Sequence, residues 1–366
     1  MPPSDATILE RVPAAGALQR LEPLRARLAR NPQDLTSATT LARSYLDLGR
    51  TNADPRFVSY AQATLAPWLG RPSVDTGVLV LSATAAQYLH NFDAALTLLD
   101  KVLAQEPQNA QAWLIKTTIL QVQGRFEAAR EACRPLARLS GQLIALTCLS
   151  GVNSLTGRLA SSYAALRSVY EDDRRIPTAV RTWILGELAD MALRSGDERA
   201  ADADLTTALR ASPEDPFIKA QYADLLLREH REREVIQLLS ADTQQDNLLL
   251  RLAIAGSRLR SPRARTWSEA FQSRYEAARR DGDFTHLREQ ARFLLEVRGD
   301  ARASLALAQD NWRVQREPDD VRVYLAAANA ARDPQAAHPV LEWIRQVGYE
   351  DRTLDTDGLI GRALRP

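Results

Sequence analysis

Two cysteines, four histidines and scattered carboxylates are the residues of this 366-residue chain whose chemistry could be more than structural. Cys133 precedes a turn near Ser140 and Gly141 by as many residues as Cys148 follows it. If the flanking segments are antiparallel helices, the two sulfurs lie at one height and can form a disulfide, which would persist only in an oxidising compartment. Two small buried thiols are the other reading. His286 and Glu289 share a helix face, but no second pair of ligands lies near them in the sequence, so neither a metal nor a cofactor is expected. There is no G-x-S-x-G, no cysteine with a histidine partner and no Gly-rich phosphate loop. The carboxylate runs Glu171, Asp172, Asp173 and Asp319, Asp320 fall in linkers, where solvated capping charges are usual. No catalysis is expected.

The elements that must carry these residues follow a ruler, the stretch from Thr182 to Asp215. It reads as two helices around a turn. Leu188, Ala189 and Ala192 lie on one apolar face, Gly196 at the turn, Ala201, Leu205, Ala208 and Leu209 on a second face, and Pro213 is the stop. The same spacing recurs from Leu35 to Asp242, with His90 and His230 in the turn position usually held by glycine. The expected layout is a loosely ordered segment 1–14, a capping helix 15–34, regular repeats over 35–242, less regular helical repeats over 243–350 and a polar tail 351–366. One repeat carries extra residues between Gly49 and the second helix, which suggests a loop on one edge at 51–60. Pro318 is read as the stop of the unit that turns at Gly299.

A helix-turn-helix unit of about 34 residues with this Ala/Gly/Ala/Pro rhythm resembles the tetratricopeptide repeat family. The segments DPRFVSYAQATLAPW (54–68) and NWRVQREPDD (311–320) resemble a proteobacterial branch of its bacterial tandem-repeat proteins. The resemblance implies an all-α, right-handed superhelical solenoid without catalysis, whose first helices line a concave groove for a peptide or partner segment. The groove positions of that family fall on Thr84, Gln87, Tyr88, Gln111, Leu114, Thr118 and Gln121, a neutral section of hydroxyls and amides. Further along they fall on Asp190, Arg194, Asp224, Arg228 and Arg258, a mixed-charge section suited to charged side chains. The Lys/Asn/Arg clamp of the chaperone-binding relatives is absent, which disfavours a cochaperone. The proteobacterial resemblance implies export, and a disulfide would agree with a periplasmic site; a cytoplasmic protein is the alternative.

A formal net charge of +1, from 47 basic and 46 acidic residues, gives no long-range field for nucleic acid. No apolar run reaches the ~18–20 residues needed to span a bilayer. The expected function is a protein–protein interaction scaffold of unknown oligomeric state. Two other classes compete with it. One is an oligomerisation module that uses residues 261–348 or Trp68; the other is a small-molecule or glycan binder that stacks its ligand on Trp183 or Tyr88.

Overall fold

The structure, a computed structural model, describes residues 15–52, 54–172, 175–280, 286–356 and 358–363. The segment 1–14 and Asp173 lie outside the described residues. The helices run in the order α1 (Ala15–Arg30), α2 (Leu35–Asn52), α3 (Pro55–Leu69), α4 (Thr76–Tyr88), α5 (Phe92–Gln105), α6 (Ala110–Val122), α7 (Phe126–Cys133), α8 (Leu136–Leu139), α9 (Gln142–Ser154), α10 (Leu159–Asp172) and α11 (Thr178–Arg194). They continue as α12 (Glu198–Ala211), α13 (Pro216–Arg228), α14 (Glu232–Leu239), α15 (Asp246–Leu259), α16 (Ala264–Arg280), α17 (Leu287–Phe293), α18 (Ala301–Trp312), α19 (Pro318–Ala330), α20 (His338–Val347), α21 (Arg352–Thr356) and α22 (Leu359–Ala363). Among the described residues no strand occurs.

Local chemistry sets these boundaries. Asp75, Asn109 and Asp215 each accept from backbone N–H groups that the first turn of α4, α6 or α13 leaves unpaired. Inside the pairs, Gly124, Gly157 and Gly196 take φ of 73°, 73° and 83°, while His90 and His230 hold the same place at 54° and 58°. Each second helix packs on the helix before it. Each first helix also packs on the first helix of the next pair: α2 on α4, α4 on α6, α6 on α9, and so on through α15 on α17 and α17 on α19. This adjacency makes the chain an all-α solenoid. Fully buried alanines at 38, 42, 61, 83, 95 and 129 let the helices approach closely.

The extra residues after Gly49 do not form an edge loop. α2 continues through Gly49 to Asn52 and α3 begins at Pro55, so the added length goes into both helices. Asp54 accepts from the backbone N–H of Arg56 at 3.0 Å, Pro55 supplies the fixed φ of a first helical position, and Phe57 and Val58 are buried. Pro318 likewise opens α19 instead of ending a helix, behind a capping box of Glu317 and Asp320. The end of the chain also departs from the expected polar tail: Asp351, Thr353 and Leu354 are buried.

The solenoid closes on itself. Arg50 reaches Asp215 at 3.8 Å, and the Gln245 amide donates to the carbonyl of Thr51, so the first pair meets the sixth and seventh. From His286 onward the chain runs back over the turns of the earlier pairs in their own order. The His286 ring meets His90, the Arg316 N–H donates to the Val122 carbonyl at 2.8 Å, and Trp343 packs on Phe126 with ring centres 5.9 Å apart. Gly348 then lies on Gly157, Glu350 accepts from the Leu159 N–H, and Thr356 accepts from Arg228. One apolar cluster joins α4–α9 to Trp312, Tyr324, Trp343 and Leu354, so this second lap is continuous with the core.

Candidate functional site

The expected groove divides into two parts. In α4 and α6 the polar side chains have little to do inside the chain. Gln111 and Thr118 are exposed, with half-buried Leu114 between them. Thr84 and Thr118 donate only to carbonyls of their own helices, those of Val80 and Leu114. Among the described residues the amides of Gln87, Gln111 and Gln121 make no hydrogen bond, which leaves donors and acceptors for a peptide backbone. Tyr88 differs from these. Its hydroxyl donates to the Gly49 carbonyl at 2.9 Å, and burial pushes its pKa up to about 12, so it ties the first pair to the second.

The mixed-charge section is paired within the chain. Arg194 is fully buried and donates to the Ser154 carbonyl at 2.8 Å, the Ser154 hydroxyl at 2.7 Å and Asp190 at 2.8 Å. Asp224 accepts from Arg251 and, at 2.6 Å, from Arg292 on the second lap. Arg228 donates to Glu198 at 2.8 Å, and Arg258 to the Leu227 carbonyl and to Glu296, both at 2.7 Å. A fully buried arginine is too costly to leave unpaired, so Arg194 is a structural fastener, and Asp224, Arg228 and Arg258 are engaged in ion pairs within the chain. Apart from Asp190 and Arg194, four residues apart on α11, the partners come from other repeats and from the second lap, which periodicity could not show.

One carboxylate in this region forms no salt bridge among the described residues. Glu187 of α11 accepts only from the Trp183 indole at 3.3 Å, and burial together with neighbouring Asp190 pushes its pKa up to about 7. That bond engages the Trp183 indole N–H. Trp68 is 3% exposed and belongs to the core of the first pairs, so it offers no surface to a second copy.

Cys133 and Cys148 are joined by a disulfide with Cα atoms 5.9 Å apart, linking α7 to α9. Pro135 falls between α7 and α8, so the second helix of this pair is split and α9 follows close behind. His286 and Glu289 approach to 3.8 Å, and among the described residues no group of three or more potential ligands is suited to a metal ion.

A tetratricopeptide repeat family model matches residues 88–140. That stretch runs from the end of α4 through α8. No curated protein sequence matches the chain. Among solved structures, the Cut9 and Hcn1 hetero-tetramer of APC/C is 13% identical with a TM-score of 0.43, covering 85% of this chain and 52% of that one. This chain therefore spans about half the length of that relative. A human IFIT1 dimer with PPP-AAAA is 12% identical with a TM-score of 0.42, covering 90% and 86% of the two chains. The tetratricopeptide domain of P58(IPK) is 15% identical with a TM-score of 0.26, covering 89% and 99%.

Proposed function

We propose that this helical-repeat scaffold is a non-catalytic interaction protein that binds an extended peptide segment of a protein partner along the neutral faces of α4 and α6. The observation that carries this reading is the set of unengaged amides of Gln87, Gln111 and Gln121 beside exposed Thr118, on helices held rigid by a closed solenoid. A preformed surface of this kind costs a flexible segment less ordering than a mobile one. Nucleic acid is the poorer ligand, because the net charge is +1 and arginines 194, 251, 258 and 292 are paired with carboxylates. Selection of a random-peptide library against the protein tests the reading. Enriched peptides should lose about tenfold or more in affinity for Gln111→Arg/Thr118→Arg, which changes two exposed side chains. Equal binding to the double variant would place the interaction elsewhere.

Export to an oxidising compartment is part of the same proposal, and the disulfide supports it. Fractionation of the native host with thiol counting tests it; two free thiols in a cytoplasmic pool would remove it.

A further inference from the structure

Near its end the second lap carries a segment whose Tyr349, Thr353 and Leu354 are buried and whose Glu350 and Thr356 meet donors of the earlier pairs. We propose that the cleft over the turns of the fourth, fifth and sixth pairs is a docking site for an acidic, aromatic peptide of a partner protein, occupied in cis by residues 349–356. This site is separate from the α4–α6 face, and either can fail alone.

The cleft supplies donors and the segment supplies acceptors. The Leu159 N–H, at the N-terminus of the long helix α10, donates to the Glu350 carboxylate at 2.9 Å, where the helix dipole favours an anion. Buried Arg194, fixed by Ser154 and Asp190, extends to the Glu350 carbonyl at 3.4 Å and lies 5.8 Å from the centre of the Tyr349 ring. Arg228 donates to the Thr356 hydroxyl at 3.1 Å, and Arg322 of α19 closes the other wall on Asp351 at 2.9 Å. An extended turn carrying tyrosine, glutamate and aspartate is thus read by a helix N-terminus, a buried guanidinium and a second arginine. The segment does not fill the space. A cavity of about 410 Å³ remains beside it, lined on one side by Leu159, Ala160, Ile344 and Ile360 with Arg194 and Ser195, and on the other by the segment itself from Tyr349 to Asp355. The five-residue α21 is too short to hold its shape alone and depends on these contacts.

A cis occupant competes with a ligand in trans, so weakening the first strengthens the second by the same factor. The test uses the full chain. The two native cysteines are bonded to each other, so Asp355→Cys, at an exposed position, takes a single environment-sensitive fluorophore. The probe is the synthetic peptide Tyr-Glu-Asp-Arg-Thr-Leu-Asp-Thr, which has the sequence of residues 349–356. We expect a saturable fluorescence change, weakened about tenfold when the acidic side chains of the peptide are amidated. We expect faster hydrogen exchange at 349–356 when peptide is present, with α19 unchanged. Glu350→Gln on the protein should speed exchange of the segment severalfold and tighten peptide binding by a similar factor. Exchange at 349–356 as slow as in α19, with no peptide response even in Glu350→Gln, would make the segment a fixed part of the core and overturn the proposal. Concentration-dependent dimers of Glu350→Gln would overturn it too, by making a second copy the occupant.

Discussion

Gly157, in the turn between α9 and α10, and Gly348, just past α20, lie backbone against backbone. A Cβ on Gly157 would sit 3.5 Å from the Gly348 carbonyl, and one on Gly348 would sit 3.6 Å from the Gly157 Cα. Both residues have left-handed φ, 73° and 70°. The contact is where the second lap settles on the first, and Glu350 follows directly onto Leu159. An added methyl meets only ordinary van der Waals distances at either glycine, so the left-handed backbone sets its cost. Gly157→Ala and Gly348→Ala should each lose about 1–2 kcal/mol in denaturant unfolding, no more than Gly141→Ala, whose Cβ meets nothing. Gly157→Val, which adds branches facing the other backbone, should lose clearly more.

Gly256 poses the opposite problem. It lies inside α15, where alanine is the better helix former, yet a Cβ there would come within 2.9 Å of the Trp267 ring and 3.2 Å of the Ala264 Cα. Overpacking should outweigh helix propensity, and Gly256→Ala is expected to destabilise by about 1–3 kcal/mol. A rise in melting temperature would mean that Trp267 can shift at little cost.

Glu187 makes stability depend on pH with a definite sign. Its pKa is raised from 4.5 to about 7, so between those values the folded state holds a proton that the unfolded state has released. Its contribution is complete below the unfolded value and is lost as pH rises toward 7. Glu187→Gln should flatten that part of the stability profile. The check is a set of urea midpoints from pH 4 to 8 for both proteins, and parallel profiles would contradict it.

The disulfide closes a short loop, with a sequence separation of 15. Its removal by Cys133→Ser/Cys148→Ser should lower unfolding stability by about 3 kcal/mol in the chain-entropy model. Thiol reagent under denaturant should find no free thiol before reduction and two afterwards. Unchanged stability after reduction would show that packing of α7 on α9 holds this pair without the bond.

Much of the architecture was legible in the sequence because its causes are local. Helix periodicity, Asp and Asn caps, and glycine or histidine at the turns act within a few residues. They placed the helix pairs and brought Cys133 and Cys148 to one hairpin. The insertion at 51–60 departs from the expected edge loop for an equally local reason: with Asp54 as cap and Pro55 as first residue, the extra length goes into helices. The ruler could not reveal the second lap. Whether Arg194 faces a groove or fastens to Ser154, and whether Glu350 ends a tail or caps α10, depends on contacts between segments far apart in the chain. Such contacts are set by the curvature that accumulates over many stacked pairs. The sequence alone determined a solenoid of helix pairs with a neutral α4–α6 face. Only the tertiary structure decided that the solenoid closes, that its charged face is spent on internal ion pairs, and that residues 349–356 lie over the turns of the fourth to sixth pairs.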